Sequence, residues 1–414
     1  MTTEPDGPLT YEGRSLHAPK EFVWGTHRAM APAETLERIR PHLHHAGITR
    51  VADITDLDTI GIPVAVAMRP ASATLAVEGG KGVTFEAAMT SAAMEAIERY
   101  VAEVDPLDDV HATVAEVADR LPVPADEFPM FRYASLSPST RYAWTRVREL
   151  GTDEERLVPH DLVRLGVDEV LGPFTFAWAA SSNGLASGNH LSEALCAGLY
   201  EVIERDATTC WQLAVAEGAS KLVVDPATIE GPIISEILDR LDRVGVTTQI
   251  AWCPTDIGVP TCLALVADRN ARVGVYKGYG CHLEPEVAMV RAVTEAVQSR
   301  TIIVAGARDD LIRPAYEAMK RSDAFSFDEM QADVIRVSLA DIPNRATPTF
   351  DGDIAVMLDL LDAAGFHHVL ARELDADVFE AAVARIVIPG LETYRFPWVR
   401  LTNRAKTFNP TKFG

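Results

Sequence analysis

The chain has 414 residues and a mass of 45.0 kDa, a length that suits two or three average domains or one large α/β unit. Hydrophobic residues make up 48% and charged residues 24%, which allows a sizeable core and excludes disordered, fibrous and low-complexity classes. Asp and Glu number 60 against 38 Lys and Arg, and the net charge of -22 repels nucleic acid and anionic membranes. Any anionic ligand must therefore be held by a local group of residues.

Cysteine content and apolar runs indicate the compartment. The five cysteines are an odd number without a C-x-x-C pair, so we expect reduced, buried thiols instead of a disulfide framework. Residues 1–8 are polar and acidic, and no run of about 18 apolar residues occurs. We therefore predict a cytoplasmic protein that binds neither nucleic acid nor membrane. Histidines lie in adjacent pairs without zinc-ligand spacing, which disfavours a His or Cys metal site.

In the first half of the chain, apolar periodicity and proline positions predict helices and strands. Residues 32–45 have helical spacing, but Pro41 lies inside the pattern, so we expect a helix shorter than its apolar stripe. Residues 51–68 predict strands of a large sheet. The Ala-rich stretch 85–101 predicts a helix. Prolines interrupt 121–160, which we interpret as a connecting segment outside the regular core.

The second half predicts two long helices, at 191–211 and 285–304. The second of these helices has a proline at its first residue, where the missing backbone N–H costs nothing. Strands are predicted between the two helices, at 247–252, 261–267 and 273–276.

An internal repeat is the main signal in this sequence. The stretch 91–99, SAAMEAIER, is echoed by 197–205, AGLYEVIER, and both end in E-x-I-E-R. A weaker copy at 291–300, RAVTEAVQSR, has Gln298 in place of the second glutamate. Each copy follows a polar stretch with glycines that we predict to be a loop, at 79–82, 181–188 and 278–280.

The first two copies each carry two glutamates three residues apart on one helix face: Glu95 with Glu98, and Glu201 with Glu204. Such like charges repel unless a cation lies opposite, and Mg²⁺ prefers oxygen ligands. For a single copy we would favour ordinary i,i+4 ion pairs with the arginines that follow, Arg99 and Arg205. The recurrence beside glycine-containing stretches instead favours a magnesium site.

The glycine-containing stretches have the complementary property. Glycines let backbone N–H groups approach phosphate oxygens, and helix N-termini carry partial positive charge. Lys81 adds a point charge beside them. The stretch 79–82 is not a Walker A motif, and no dinucleotide-binding fingerprint occurs. Together the acidic helix faces and the glycines predict a Mg–nucleotide site outside the usual nucleotide-binding folds.

At these residues the sequence resembles the YcaO family. The resemblance rests on G-K-G with S-x-x-x-E-x-x-E-R at 80–99, S-N-G-x-A-x-G-N with E-x-x-E-R-D at 182–206, and R-A-x-T-E-x-x-Q-S-R at 291–300. Shorter matches at 25–28, 47–50 and 387–392 extend it over most of the chain.

The resemblance implies an α/β fold of related sheet-and-helix units that face one another. ATP would be bound between the glycine loops and the Glu-bearing helices. The chain is accordingly divided into a flexible N-terminus at 1–24, a YcaO-like catalytic domain at 25–392 and a basic C-terminal tail at 393–414.

The resemblance also implies an enzyme of ribosomal peptide maturation that phosphorylates a peptide backbone amide with ATP and Mg²⁺, so that a nucleophile can attack. An azoline, a macrocyclic amidine formed by cyclodehydration, or a thioamide results, depending on the nucleophile. The alternative is a non-catalytic accessory that binds nucleotide and a partner, for instance in ribosomal protein modification. A scaffold that binds peptide only is disfavoured, because the four glutamates are intact.

Site residues follow from motif position, and no catalytic residue is assigned. The magnesium-binding carboxylates of the family match Glu95, Glu98, Glu201 and Glu204. Positions that contact nucleotide match Ser91, Asn189, Glu193, Arg205 and Arg300, and Arg28 matches a phosphate contact. The structural alternatives are a capping or packing serine, a loop-bracing amide and surface ion pairs.

The C-terminal part of the chain gives information about the product type and about the partner proteins. Azoline-forming members commonly end in a Pro-rich tail, whereas 409–414 has one proline, which weakens the azoline assignment. The tail has no acidic residue after Glu392, so it either docks on the acidic body or guides a peptide. The stretch 298–310 is similar both to members with TfuA-like partners in thioamide formation and to stand-alone amidine-forming members. We expect a precursor peptide and a TfuA-like or leader-binding protein as partners, and the composition suits a homodimer as well as a monomer.

Overall fold

The computed structural model describes residues 9–106, 109–166, 177–268, 274–306, 330–393 and 397–413. The chain divides into two compact units, each assembled from separate segments. Unit 1 comprises Met1–Lys20, Glu98–Cys210 and Thr347–Phe408, and unit 2 comprises Glu21–Ile97, Trp211–Ala346 and Asn409–Gly414.

The strands, in chain order, are β1 Thr10–Tyr11, β2 Arg14–Ser15, β3 Arg50–Asp53, β4 Val64–Met68, β5 Val77–Lys81, β6 Asp109–Ala112, β7 Tyr142–Glu149, β8 Glu155–Pro159, β9 Leu185–Gly188, β10 Lys221–Val224, β11 Val246–Trp252, β12 Thr261–Asp268, β13 Val275–Cys281, β14 Val334–Val337, β15 Leu370–Leu374 and β16 Ala382–Val387. The α-helices are α1 Pro32–Ile39, α2 Phe85–Val104, α3 Val114–Val117, α4 Leu191–Ala216, α5 Pro232–Arg243, α6 Pro285–Ala305, α7 Phe350–Ala363 and α8 Asn403–Thr407. Short 3-10 segments lie at Arg40–Ala46, Thr55–Leu57, His160–Leu162, Pro226–Thr228, Leu339–Asp341, Asp377–Phe379 and Pro410–Lys412.

Unit 1 contains a sheet of order β6-β7-β15-β16-β9, with β8 also paired to β7, and every pair in it is antiparallel. Trp144 of β7 and Trp178 are both buried, and their indoles donate to the Ala112 and Ala125 carbonyl oxygens at 2.9 Å. The interpretation of 121–160 as a connecting segment is therefore wrong for β7 and β8. The prolines lie between strands or, as Pro159 does, at a strand end, where they leave the sheet intact.

The described residues of unit 2 form two sheets. One has the order β13-β12-β11-β10-β14, in which only the β10–β14 pair is parallel, and the other is the antiparallel sheet β3-β4-β5. Their apolar faces share one core with α5 and α6, and Val64, Ile234, Ile250 and Val293 are almost fully buried in it. The strands predicted at 247–252 and 261–267 are confirmed. The strands within 51–68, β3 and β4, belong to the three-stranded sheet and not to a large one. The chain adds only β5 to them before it continues into α2.

The helices follow the sequence closely. The first one ends at Ile39 and continues as a 3-10 segment with Pro41 in its first turn, as the proline predicts. The predicted helices at 85–101, 191–211 and 285–304 are confirmed as α2, α4 and α6. None of the helices described is long and apolar enough to cross a membrane.

The internal repeat is a strand followed by a helix. It occurs as β5–α2, as β9–α4 and as β13–α6, with two or three residues between strand and helix. Most of the glycines predicted in loops lie instead inside these strands, and only 181–184 precede one. The expectation of three glycine loops is therefore corrected.

The reason for these glycines is helix packing. A Cβ on Gly80 would lie 2.2 Å from the Ala88 carbonyl oxygen of α2, and a Cβ on Gly278 would lie 2.1 Å from the Ala292 carbonyl oxygen of α6. In unit 1 a Cβ on Gly188 would lie 2.7 Å from a backbone nitrogen of α4. Each strand thus touches the backbone of the helix that follows it, which only glycine permits.

All five cysteines are free and buried, as expected from the sequence: Cys196, Cys210, Cys253, Cys262 and Cys281. Burial raises the pKa of the Cys253 thiol to about 12. Burial likewise raises the pKa of Cys196 well above its usual value. These two thiols stay protonated at neutral pH and act as small apolar side chains.

Candidate functional site

The predicted site residues fall in both units. Unit 1 holds Glu98, Asn189, Glu193, Glu201, Glu204 and Arg205. Unit 2 holds Arg28, Ser91, Glu95 and Arg300.

In unit 1, two glutamates of α4 share one arginine. Nη1 of Arg205 lies 3.1 Å from Oε1 of Glu204, and Nη2 lies 4.0 Å from Oε1 of Glu201. The Glu204 side chain is only 4% exposed, while that of Glu201 is 23% exposed. The ordinary i,i+4 ion pair that the sequence allowed, Glu201 with Arg205, is thus present, but its distance is longer than that between Arg205 and Glu204. One guanidinium thus lies beside two carboxylates, whose oxygens are the ligand type that Mg²⁺ prefers.

Glu98, on the part of α2 that belongs to unit 1, is positioned by β9. The backbone N–H and the hydroxyl of Ser187 both donate to its Oε1 oxygen, at 2.9 and 2.6 Å. Two donors on one carboxylate oxygen fix the orientation of the side chain. Ser187 was not among the predicted site residues, and its place inside the motif S-N-G-x-A-x-G-N was the available signal.

Asn189 and Glu193 form one hydrogen-bonded group at the start of α4. Oε2 of Glu193 accepts from both the backbone N–H and the Nδ2 of Asn189, each at 3.1 Å. Glu193 is the third residue of the helix and is 2% exposed, so its carboxylate occupies the position that satisfies N–H groups at a helix N-terminus. The pair holds the Asn189 carboxamide in a fixed orientation.

In unit 2, Ser91 and Glu95 lie one turn apart on α2 and are both partly exposed. Ser91 is inside the helix, which excludes the capping role for it. Arg28 is held through its backbone, which exchanges two hydrogen bonds with Phe22 at 2.8 and 3.0 Å.

The charges of the third repeat copy are paired within unit 2. Nε and Nη2 of Arg300 contact the two oxygens of Asp58 at 2.7 and 3.0 Å. Burial opposes the charged guanidinium, but Asp58 outweighs it and raises the pKa of Arg300. Nη1 of Arg300 is buried and has no hydrogen-bond partner among the described residues. Lys81, predicted as a point charge for phosphate, contacts Glu295 of α6 at 2.8 Å.

The basic tail docks on α4. Nε of Arg404 lies 2.8 and 2.9 Å from the two oxygens of the fully buried Asp206, the residue after Arg205. Asp206 also accepts the backbone N–H of Glu392 at 2.9 Å. Of the two expectations for the tail, docking on the acidic body therefore holds for Arg404. Arg395 lies outside the described residues, as do Arg308 to Asp310 of the stretch at 298–310.

A second polar site in unit 1 was missed by sequence reasoning. Arg385 of β16 is 2% exposed, and its Nε and Nη2 donate to the carbonyl oxygens of Leu162, at 2.6 Å, and Ser181. Burial lowers the pKa of this guanidinium to about 10, and the nearby Glu201 counteracts the shift. Arg385 and Asn183 line a cavity of about 30 Å³. An arginine in the otherwise apolar strand Ala382–Val387 was the signal in the sequence.

The acidic side chains of unit 1 suit Mg²⁺ because they offer only oxygen ligands. Magnesium usually keeps several waters and binds through one or two carboxylates. Glu201 and Glu204 match that number of protein ligands.

Comparison with known proteins identifies the family. Residues 79–392 match the family model described as YcaO cyclodehydratase, ATP- and Mg²⁺-binding. An uncharacterized protein in the tfuA 3′ region of Rhizobium leguminosarum bv. trifolii is 38% identical over 382 residues, which cover 88% of each chain.

Solved structures share the fold. A heterocyclase in complex with substrate and cofactor matches with a TM-score of 0.80 at 21% identity, over 99% of this chain and 57% of the heterocyclase, so the chain spans little more than half of that protein. YcaO from Methanopyrus kandleri bound with AMPPCP and Mg²⁺ matches with a TM-score of 0.69 at 23% identity, over 91% of this chain and 95% of that one. The expected α/β fold of YcaO type is thereby confirmed, and the chain belongs to the YcaO family of ATP- and Mg²⁺-binding cyclodehydratases.

Proposed function

We propose that this protein is an ATP- and Mg²⁺-dependent enzyme that activates a peptide backbone amide for nucleophilic attack. One observation carries the proposal: on α4, Glu201 and Glu204 both lie within 4.0 Å of the Arg205 guanidinium, which brings two side chains with oxygen ligands for metal to one place. The family model, which describes ATP- and Mg²⁺-binding cyclodehydratases, supports the same conclusion.

In the proposed reaction the amide oxygen takes the terminal phosphoryl group of ATP, and ADP is released. A nucleophile forms a bond to the amide carbon, and the bond between that carbon and the phosphorylated oxygen breaks, so inorganic phosphate leaves. Magnesium, when bound, neutralises charge on the phosphates. This activation is needed because an unmodified amide oxygen is a poor leaving group.

The chain's own residues bind and orient the nucleotide in this proposal. Glu95, Glu98, Glu201 and Glu204 hold magnesium. Ser91, Asn189, Glu193 and Arg205 contact the nucleotide, and Arg28 contacts phosphate. The hydrogen bonds from Ser187 to Glu98 and from Asn189 to Glu193 support fixed orientations for two of these groups. Arg300 keeps Nη1 for a nucleotide contact while Asp58 holds its other nitrogens.

For the finer assignment we propose thioamide formation with a TfuA-like partner. The relative that is 38% identical is named for its position in a tfuA 3′ region, which supports such a partner. A precursor peptide is the proposed substrate. Mass spectrometry of the product distinguishes the outcomes, because cyclodehydration removes water whereas thioamide formation exchanges oxygen for sulfur.

Calorimetric titration with ATP, with and without Mg²⁺, tests the metal site. We expect Glu201→Gln to weaken Mg-ATP binding at least about 100-fold, because a charged ligand of the metal is lost. The matched control is Glu295→Gln, at the corresponding position of the third copy, where the carboxylate is already paired with Lys81. Its affinity should stay within about threefold of the unsubstituted chain.

Equal affinities of all three proteins for Mg-ATP would refute the assignment of Glu201. Release of ADP that depends on peptide would separate the enzyme from a non-catalytic accessory, which binds nucleotide without turning it over.

A further inference from the structure

The cavity beside Arg385 in unit 1 contains two buried polar atoms without partners. Nη1 of Arg385 and Oδ1 of Asn183 each lack a hydrogen-bond partner among the described residues. Both residues line the same cavity. Buried polar groups are nearly always hydrogen-bonded, and leaving one unpaired costs about 1–3 kcal/mol. Two such atoms in one cavity therefore indicate that something binds there.

The charge of Arg385 has no local partner either. No carboxylate among the described residues lies within 4.0 Å of its guanidinium, and its two bonded nitrogens face neutral carbonyls of Leu162 and Ser181. On the adjacent strand, Arg372 is opposite Arg385 in the register but remains partly exposed. An enclosed guanidinium without an ion pair is costly, so an acceptor for Nη1 would stabilise it.

The cavity has the size of a small uncharged group. Its volume of about 30 Å³ holds roughly two water molecules, since one water needs about 10–15 Å³ by this measure. Two waters occupy about the volume of the C, O and N atoms of one peptide unit. The wall is mixed: apolar residues such as Pro129, Val202 and Leu391 line it together with Asn183 and Arg385. A mixed wall suits a small group that is itself part apolar and part polar.

One unpaired donor and one unpaired acceptor are the complement of a peptide unit, which has one C=O and one N–H. We propose that this cavity binds a backbone peptide unit of the substrate, whose carbonyl oxygen accepts from Nη1 of Arg385 and whose N–H donates to Oδ1 of Asn183. The inference rests on the proposed function, because it takes a peptide as the substrate. It adds a substrate subsite that recognises backbone and not side chains.

A peptide unit fits this site better than an anion does. An anion in the cavity would be repelled by the lone pairs of the Asn183 Oδ1 atom. Glu392, an acidic residue, also lines the cavity. Charge near Arg385 is already supplied at longer range by Glu201. A neutral dipole satisfies both unpaired atoms without adding negative charge.

The test measures binding of a minimal amide to the full chain. The probe is N-acetylglycine N-methylamide, which carries two peptide units and no side chain, observed by saturation-transfer NMR. We expect a signal with the unsubstituted chain and at least a fivefold weaker signal with Asn183→Leu and with Arg385→Lys. Arg372→Lys, on the neighbouring strand, is the matched control and should leave the signal unchanged.

Three outcomes would overturn the proposal. The first is no signal with the unsubstituted chain, and the second is an equal signal with all variants, as expected if the cavity holds only water. The third is displacement of the probe by inorganic phosphate, which would indicate an anion site. If Arg385→Lys does not fold, Asn183→Leu decides alone, because it removes the carboxamide and leaves Arg385 in place.

The same variants separate this proposal from the proposed function. The probe experiment needs no ATP turnover, so a catalytically inactive chain can still bind the amide. Mg-ATP affinity should be unchanged in Asn183→Leu. If that affinity falls instead while amide binding stays, Asn183 belongs to the nucleotide site and the peptide subsite is wrong.

Discussion

Two copies of the same strand–helix repeat, β9–α4 in unit 1 and β13–α6 in unit 2, have the same frame and different charges. In both, glycines bring the strand against the helix backbone. In α4, Glu201 and Glu204 share one arginine, whereas in α6 Glu295 pairs with Lys81 and the second acidic position is the neutral Gln298. At the repeat positions α4 therefore carries two carboxylates and α6 carries one.

The difference shows that, within one motif, the residues that set the packing are not the residues that set the charge. The position of Gln298 explains part of it, because a Cβ on Gly79 would lie 2.4 Å from the Gln298 side-chain nitrogen. The side chain at this position packs directly on the backbone of β5. This position is partly exposed and carries a neutral amide in contact with the strand. The third copy thus has the same helix with one carboxylate at the repeat positions instead of two.

The largest effect is expected from changing the glycines that bring strand and helix together in both copies. Gly278→Ala should destabilise the protein by about 3 kcal/mol or more, because the new Cβ lies 2.1 Å from the Ala292 carbonyl oxygen and strand and helix must separate. Gly188→Ala should do the same in unit 1. Urea unfolding followed by tryptophan fluorescence measures both.

The control for these glycines is Gly258→Ala. Its φ is +74° and nothing lies within 4 Å of the added Cβ, so only backbone strain of about 1–2 kcal/mol is expected. If Gly278→Ala costs no more than Gly258→Ala, close packing is not the reason for the repeated glycines.

The next largest effect concerns the ion pair that Arg300 of the third repeat copy makes with Asp58. Asp58→Asn removes the carboxylate that holds Arg300, whose side chain is 7% exposed, and should cost about 3 kcal/mol, the low end for a buried ion pair. The double variant Asp58→Leu with Arg300→Met should regain part of this stability, because the buried pair is removed as a whole and only Asp268, which Arg300 also contacts at 3.4 Å, loses a contact. Thermal unfolding of the single and double variants measures the coupling. A double variant as unstable as the single one would contradict a closed ion pair.

The smallest effect concerns the tail that docks on α4. Burial raises the pKa of Glu392 above its usual 4.5, so the folded protein keeps this proton to higher pH than the unfolded chain does. The stability of the unsubstituted protein relative to Glu392→Gln should therefore fall as pH rises above 4.5 and level off above the folded pKa. Melting temperatures of both proteins between about pH 4 and 7 test this.

Glu116→Gln is the control of opposite sign. Hydrogen bonds from Thr113 lower the pKa of Glu116, so its contribution to stability is present above the usual value and lost as pH falls through the folded pKa. The difference for Glu116→Gln should therefore stay nearly level above pH 4.5 and shrink below it, whereas the difference for Glu392→Gln changes above pH 4.5. Parallel curves would mean that the Glu392 carboxyl is not buried in solution.

Sequence reasoning predicted the elements of the repeat well. Helical spacing gave α2, α4 and α6, and Pro41 gave the end of α1, because both signals are local. Sequence reasoning failed at the glycines, because a glycine is compatible with two different structural roles. A glycine suits a loop that approaches phosphate and equally a strand that touches a helix, and only the contact between Gly80 and Ala88 distinguishes them. Strands β7 and β8 were missed because prolines between strands look the same as prolines in an irregular segment.

The site shows the same division. Motif position led to Glu201, Glu204 and Arg205, which are adjacent in the chain and do meet. Contacts between distant segments were not predictable: Arg404 reaches Asp206 across 198 residues, and Arg385 reaches Leu162 across 223. Such pairings depend on how the sheet is assembled, which a single sequence does not contain.

The glycines that set the distance between strand and helix have an evolutionary consequence. After duplication, a unit whose backbone spacing is fixed by the absence of side chains can change the residues on its outer face without moving the helix. Acidic pairs can then be gained or lost one copy at a time while the scaffold stays in register. A repeated motif of this kind can carry different binding residues in each copy, and α6 is a copy whose second acidic position is the neutral Gln298.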